Sequence, residues 1–587
     1  MPASDRLFTF LFPKKDVCEE KELYYHDENG KVTIHEGSLL VPQGETLCLD
    51  GYFNVFDAAP YYENTVVRTL TYHLKVKGEG CLRLFFSRPA DSAVGYSDLL
   101  QKEIDFSSQK EEVTFSIALP EEVGTLWLSL SAKSDCTFFG GCITAKETPL
   151  REVKIGIAIT TFHREEYVKK NVAVLTSILP KDTFGVFVVD NGNTLSPEDV
   201  RGARLFPSQN LGGSGGFTRG ILEVTESGEF THILLTDDDI SFDSEIFLRT
   251  AAVLRYLTQP DHVIIGASML FSDRPYLQME MGAEWTGSKL VPHNKKQDLR
   301  SRAALVQNAA HLTADYSGWW FNCFSVALAK KIGLPLPFFI KIDDVEYCLR
   351  ANANILLLNG IGVWHEDFNY KFSSALDYYY ERNKLILNAL HRPKLGALYH
   401  FKNLLYVVAK QLSLHRYRSL DLVFKAYSDF LAGANVFQKT DAMALHKSLA
   451  ALGEKQISRA DLEKQGYDLS RPILHSEPYK GASFVQAVTL NGYLLPAKKQ
   501  DYRIVDLTAG NPNDFYRAKH VVQFNPITQT GFVTKRSLWV LIKTCFRLVG
   551  YFFKLLFRHT KASRSYRALF PDLISEKQWK KRLDMTN

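Results

Sequence analysis

Residues 231–240 read THILLTDDDI, an apolar run that stops on three consecutive acids. Ile233, Leu234 and Leu235 have the unbroken apolar character of a strand buried on both faces. Side chains alternate along an extended segment, so Asp237 and Asp239 are predicted to face one side together. Two carboxylates on one side repel unless a cation lies between them. A hard divalent ion shared with substrate phosphates is the usual remedy where a diphosphate must leave. The plainer alternative is an acidic loop capping the next helix, with Asp243 and Ser244 as cap residues. An EF-hand loop is excluded, because counting from Asp237 places Phe242 at position six and Leu248 at position twelve.

Working outward, the same buried-strand character recurs in VKIGIAIT (153–160), GVFVVD (185–190) and HVIIGAS (262–268), with helical patterns near 164–179 and 217–227 between them. Strands alternating with helices predict an α/β fold with a parallel sheet. Ligands of such sheets bind beyond the carboxyl ends of the strands, so chemistry is expected in the loops after 160, 190 and 236. Asn210-Leu-Gly-Gly-Ser-Gly-Gly-Phe217 reads as a glycine-rich loop running into a helix, where backbone N–H groups can approach a phosphate or sugar. It lacks the Lys-Ser/Thr of a P-loop and the third glycine of a dinucleotide fingerprint. Asp343, Asp344 and Glu346 crowd a helix start after FFIKI. Capping explains one such acid, and a general base beside a substrate hydroxyl is the competing use. His365, after the apolar run IGVW, is either structural or a metal ligand at a strand end. Trp319 and Trp320, beside Gly318, serve either core packing or the stacking of sugar faces. Arg382-Asn383 reads by default as a solvated helix face.

The rest of the 587 residues brackets this region. Residues 1–150 carry short strand patterns separated by Gly, Asp, Ser and Pro, which predict a β-sandwich. Residues 151–375 form the α/β region. Residues 376–587 read as mainly helical, with segments near 376–391, 396–412 and 417–434 and a loop-rich stretch at 470–530. The apolar share of 45% and charged share of 23% exclude wholesale disorder and a multi-span membrane protein. A net charge of +5 is too balanced to predict nucleic-acid binding. Eight cysteines without C-x-x-C spacing fit reduced thiols and argue against a zinc site. No signal peptide and no span long enough to cross a bilayer is read. No acid occurs between Asp514 and Asp572. There Lys543, Arg547, Lys554 and Arg558 share a helical face beside many Phe and Leu residues, which predicts an interfacial helix on an anionic membrane. Packing on the protein's own core is the alternative.

Taken together, Thr161-Phe-His-Arg164, Val-Val-Asp190-Asn-Gly, Asn210 to Phe217, Thr236 to Asp239, Trp319-Trp320, Phe339-Ile-Lys-Ile-Asp343-Asp344, Trp364-His365 and Arg382-Asn383 occur in one order. This set resembles the mycobacterial galactan-polymerising galactofuranosyltransferases, inverting glycosyltransferases with a GT-A fold. The resemblance implies a β-sandwich, a GT-A domain and a helical C-terminal region. It implies Mn²⁺ or Mg²⁺ held by Asp237, Asp239 and His365. Arg164, Asn191, Asn210 and Asp238 would contact a UDP-sugar, with Lys341 near the reacting sugars. Asp344 would be the general base, seconded by Asp343, and Trp319 and Trp320 would line the acceptor site. The implied donor is UDP-galactofuranose and the acceptor a lipid-linked, growing cell-surface glycan. The enzyme would work from the cytoplasm, peripherally on the inner face of the membrane, and self-association is left open. UDP-galactopyranose or dTDP-rhamnose as donor, and a non-catalytic glycan-binding scaffold, are the alternatives. One departure is Tyr380, where the family pattern has a His two residues before the Arg-Asn pair.

Overall fold

The computed structural model describes residues 6–90, 95–107, 112–310, 313–474, 483–498, 502–508 and 510–585. The chain divides into two compact units, one of Met1–Pro335, Asp344–Glu366 and Trp579–Asn587, the other of Leu336–Asp343 and Asp367–Gln578.

The first unit is mixed α/β. Its N-terminal part holds two six-stranded sheets. One runs Glu112–Ala118, Thr69–Lys77, Cys136–Ala145, Ser38–Val41, Thr33–His35, with Arg6–Thr9 also paired to Cys136–Ala145, and the other His26–Asp27, Thr46–Leu49, Thr125–Ala132, Gly80–Pro89, Tyr96–Phe106, with Phe56–Asp57 also paired to Thr125–Ala132. Thr69–Lys77 shows why such strands form here: every second residue is buried, so one face meets a core and the other is less covered.

The nine-stranded sheet that follows positions the site. Strands β1 (Ile155–Thr161), β2 (Phe184–Asp190), β3 (Arg204–Pro207) and β4 (His232–Asp237) lie parallel in the order β3-β2-β1-β4. Helix α1 (Glu165–Ile178) follows β1, and α2 (Gly212–Ser227) precedes β4. The sheet continues through β5 (Asn322–Ser325), antiparallel to β4. It is therefore mixed, where the strand–helix alternation had suggested parallel strands alone. Beyond β5 lie Val263–Phe271 and β6 (Asn354–His365), parallel to each other. Register aligns the carboxyl ends, with Thr161 opposite Asp190 and Thr160 opposite Asp237. Phe217, Ile221, Ile233, Leu235, Phe324 and Tyr347 form part of the core beneath them.

Trp579 and Leu583 belong to that same core. The Trp579 indole donates to the Pro335 carbonyl at 2.8 Å. Gln209, just before the glycine-rich segment, donates to the Arg582 carbonyl and, at 3.2 Å, to the Asp584 carboxylate.

In the second unit, α3 (Ala375–His391), α4 (Ala397–Ser413), α5 (Tyr417–Ala432) and the 36-residue α6 (Leu538–Leu573) pack on one another. The three shorter helices fall where the sequence patterns put them. The stretch read as loop-rich instead contributes two strands to a four-stranded sheet of Ile457–Ser458, Thr530–Lys535, His520–Asn525 and Arg503–Asp506. Its strands are too short for a periodic signal to emerge.

Candidate active site

The carboxyl ends of β1, β2 and β4 present Arg164, Asp190-Asn191 and Asp237-Asp238-Asp239 along one edge of the sheet. Asp237, Asp239 and the buried His365, at the end of β6, bring one ligand atom each to within 4.8 Å of one another. The His365 Nδ1–H donates to the Glu366 carbonyl, which fixes the tautomer. Its Nε2 then faces Asp239 Oδ1 at 3.1 Å, one acceptor against another. Two acceptors at that distance need a proton or a cation between them. Two carboxylates and a neutral imidazole fit a hard divalent ion such as Mn²⁺ or Mg²⁺. Arg164 pairs with Asp239 and lies 3.7 Å from Asp238.

Asp238 faces away into the protein, and burial raises its carboxyl to about 6. The turn that carries it is held by Asn171 on α1, whose amide donates to the carbonyls of Asp238 and Ile240 at 2.9 and 3.0 Å. Asn171 was missed in the sequence. Its signal is a single amide among Val168, Val172 and Leu175 on the buried stripe of an amphipathic helix. Asp190 is spent on its own turn, accepting from the backbone N–H groups of Gly192, Thr194 and Leu195. Asn191 is buried and its Oδ1 has no hydrogen-bond partner, while its amide donates to the Gly212 carbonyl at 3.3 Å. An orphaned acceptor at the strand ends suits a ligand N–H or O–H.

The glycine-rich segment is less of a loop than its composition suggested. Helix α2 already begins at Gly212, which has φ +74°, and Asn210 Oδ1 accepts from its N–H at 2.8 Å. Gly216 is needed for packing: a Cβ there would sit 2.1 Å from Thr160 Cγ2 and 2.8 Å from Asn191 Nδ2. The glycines thus let α2 press its N-terminus against the strand ends.

Trp319 and Trp320 correct the sugar-platform expectation. Each is 4% exposed. Trp319 stands edge-on to Phe217 with ring centroids 5.1 Å apart, and Trp320 donates to the Ala267 carbonyl at 3.2 Å. Their size and apolarity place them in the core beneath the site, leaving no open ring face for a sugar.

Asp344 lies near the start of the helix Asp343–Ala351 and is half-buried. The fully buried Tyr316 hydrogen-bonds its carboxylate, and burial together with that carboxylate's charge pushes the phenol well above its ordinary range. Tyr316 therefore stays a donor at all ordinary pH values. Glu346, by contrast, is fully buried and pairs with Arg350 at 2.9 Å, so it belongs to the framework.

Lys341 and Asp343 fall in the second unit. Lys341 lies over the Phe368 ring at 5.1 Å. Phe339, Lys341 and Ile342 all have φ near +70°, a conformation costly for non-glycine residues. What holds them is the Arg-Asn pair. Arg382 donates to the Phe338 carbonyl at 2.9 Å, and Asn383 donates to the carbonyls of Ile340 and Lys341 at 3.1 and 2.8 Å. Both side chains are buried, so the reading of a solvated face is wrong for them. Tyr380, at the departure from the family pattern, is half-buried with the Lys384 ammonium 5.4 Å from its ring centroid.

Asp237, Asp239 and His365 thus form a cluster that could hold a metal ion, at a strand edge of a mixed α/β protein. The family described as "Galactofuranosyltransferase 2 N-terminal" matches residues 7–146. Galactofuranosyltransferase GlfT2 of Mycobacterium tuberculosis is 26% identical over 424 residues, covering 65% of this chain and 64% of that protein. GlfT2 of Mycolicibacterium smegmatis is 26% identical over 416 residues, 65% of this chain and 63% of its own. The chain thus resembles the mycobacterial galactan-polymerising enzymes, and the match spans a little under two thirds of their length. Among solved structures, a mannosyltransferase of Pyrobaculum calidifontis in complex with GDP-Man and Mn²⁺ aligns with 52% of this chain and 83% of its own, at 12% identity and a TM-score of 0.29. An overlap that low carries no argument.

Proposed function

We propose that the protein is a metal-dependent inverting glycosyltransferase that moves galactofuranose from UDP-galactofuranose to a growing cell-surface glycan. The observation that carries the chemistry is the facing pair of acceptors, His365 Nε2 and Asp239 Oδ1, with Asp237 beside them. The sugar is suggested by the two relatives named galactofuranosyltransferase. In this reading the central sheet is a GT-A core, preceded by a β-sandwich and followed by a helical region. The acceptor is a lipid-linked glycan, elongated from the cytoplasmic side of the membrane.

Asp237, Asp239 and His365 would hold Mn²⁺ or Mg²⁺. When bound, the cation supplies positive charge against the diphosphate and makes it a better leaving group. Arg164 adds a fixed guanidinium on the same side. Asn191 and Asn210, with Asp238 behind them, shape the nucleotide end. Asp344 accepts the proton of the acceptor hydroxyl while its oxygen bonds to the anomeric carbon. The bond from that carbon to the diphosphate oxygen breaks on the opposite face, UDP departs with the electron pair, and configuration inverts. Tyr316 orients the Asp344 carboxylate by donating to it. Asp343 and Lys341 keep, by resemblance, a part in positioning the reacting sugars.

The test is a donor panel of UDP-galactofuranose, UDP-galactopyranose and dTDP-rhamnose, with a lipid-linked glycan acceptor and product read by mass spectrometry. Transfer from UDP-galactofuranose that stops in excess chelator is expected. Undiminished turnover in chelator, or preference for another donor, overturns the corresponding part.

A further inference from the structure

The second unit holds a charged cavity that the transferase reading leaves unused. It lies at the start of α5, beside residues 454–457 and the strand Thr530–Lys535, and has a volume of about 490 Å³. That is within the usual range of small-molecule sites. Arg418, Lys455 and Lys535 line it, against a single lining carboxylate, Glu454. Glu454 is already spent. It accepts from the backbone N–H groups of Arg418 and Ser419 at 3.0 and 3.1 Å, which caps α5, and from the Ser374 hydroxyl at 2.7 Å. The three cations are left over. The ion pairs nearby are Arg459 with Glu463 and Lys464 with Asp461, and among the described residues no carboxylate pairs with Arg418, Lys455 or Lys535. Arg418 gives one N–H to the Gly453 carbonyl at 3.0 Å and keeps the rest of its fork.

Exposed cations alone would simply stay in water. The second observation is His415, which lines the same cavity and is 1% exposed. Tyr417, Tyr493 and Phe515 surround its ring. Burial, with the Arg536 charge nearby, lowers its pKa to about 3, so the imidazole is neutral and carries one N–H and one lone pair. Its Nδ1 has no hydrogen-bond partner among the described residues. The Tyr417 hydroxyl cannot serve it, being engaged by the Tyr493 hydroxyl at 2.7 Å and the Ser537 N–H at 3.0 Å. A buried polar atom of this kind calls for a partner, and the cavity is where one can enter.

Three cations around one cavity match a ligand with two or more negative charges. A phosphate ester carries about −1.5 to −2 at pH 7 and presents three strong acceptor oxygens. An arginine fork and two ammonium groups suit those oxygens. A single carboxylate would leave two of the cations unmatched. Ile457 and Phe532 add apolar lining for a carbon skeleton. We propose that this cavity binds a small phosphorylated molecule, held by Arg418, Lys455 and Lys535, with His415 Nδ1 as a further donor. The site belongs to the second unit, whereas Asp237, Asp239 and His365 belong to the first. It goes beyond the transferase reading and does not depend on it, since its ligand needs neither divalent ion nor acceptor glycan.

The full chain is dialysed to equilibrium against inorganic pyrophosphate, glucose 1-phosphate or succinate. Excess chelator is present throughout, so that no divalent ion carries a phosphate to the strand edge. Both phosphates should bind saturably, and less tightly as salt rises. Succinate, whose charges sit on two separate planar groups, should bind about tenfold or more less tightly. The double variant Lys455→Gln, Lys535→Gln should lose about tenfold or more in phosphate affinity. Both lysines are exposed, so its thermal melting should be unchanged. His415→Phe, which keeps a ring among the three aromatic neighbours, should lose about threefold to tenfold. Arg164→Gln, at the strand edge, should bind the phosphates as wild type does. Absence of saturable phosphate binding, or wild-type affinity in the double lysine variant, overturns the proposal. Loss of binding in Arg164→Gln puts the probe at the strand edge and overturns it too. Succinate binding as tightly as the phosphates overturns the choice of phosphate, and unchanged affinity in His415→Phe overturns the part given to Nδ1.

Discussion

The first unit contains two acidic clusters that look alike in the sequence and differ in what surrounds them. At the end of β4, Asp239 faces another acceptor, His365 Nε2, with Asp237 beside both. At the start of the helix Asp343–Ala351, each acid faces a donor: Asp344 meets the Tyr316 phenol and Glu346 meets Arg350. In the first arrangement a proton or a cation must lie between His365 Nε2 and Asp239 Oδ1, with Arg164 against the other carboxylate oxygen. In the second, the Asp344 carboxylate accepts from the Tyr316 phenol and Glu346 is paired with Arg350. Carboxylates acquire their tasks from the donors and acceptors placed opposite them.

The largest break in this contrast should come from Asp239→Ala. Removing one of the facing acceptors should abolish detectable divalent-ion binding by calorimetry. Transfer should fall by about a thousandfold or more, the equivalent of several kcal/mol of charge stabilisation. A variant that turns over normally would show that no cation belongs there. Next in size is Asp344→Asn, which keeps shape and hydrogen bonding but cannot accept the proton. Transfer should drop by about 10²–10⁴-fold while UDP and metal binding stay near wild type. Loss of activity from Asp343→Asn but not from Asp344→Asn would move the base one residue.

A smaller effect sharpens the second cluster. Tyr316→Phe removes a donor that favours the charged form of Asp344, so the Asp344 pKa should rise. The acid limb of the rate profile should then shift to higher pH, with about a tenfold loss at low pH and little change at high pH. A profile that only scales down uniformly would reduce Tyr316 to packing. The least effect on rate is expected from Glu346→Gln. Its partner Arg350 holds the carbonyls of Ile332 and Leu334, so the damage should appear as lost stability of about 1–3 kcal/mol. Melting temperature and single-turnover rate measured on one preparation separate the two.

These clusters also mark what the sequence could and could not disclose. The strand HILL ending in acids was legible because an apolar run and side-chain alternation are local properties. Asp237 and Asp239 do come together, but the strand ends at Asp237 and a bend at 238–239, not strand alternation, brings Asp239 round. His365 joins them through sheet order, which no spacing encodes, and only the resemblance supplied it. The roles of Tyr316 and Asn171 depend on partners far away in the chain, so no local pattern discloses them. Trp319 and Trp320 misled for the opposite reason. A Trp pair beside glycine suits a sugar platform and a core equally well, and exposure decides between them. Arg382-Asn383 was misjudged because polar residues on a helix default to solvent. Here they satisfy the carbonyls of a backbone segment that would not hold its shape unaided.

Trp579 gives the molecule a schedule. The core beneath the strand ends includes an indole that the ribosome adds only after all of Asp367–Gln578 has been made. At about 5–20 residues per second, that interval is roughly ten to forty seconds. During it the central sheet exists with its plug missing and Pro335 without its donor. Nascent chains arrested before Trp579 should be cut within the central sheet by a protease that spares chains in which Trp579 has emerged. A chain lacking Trp579 would leave a gap in the core beneath the strand ends and the Pro335 carbonyl without its indole donor.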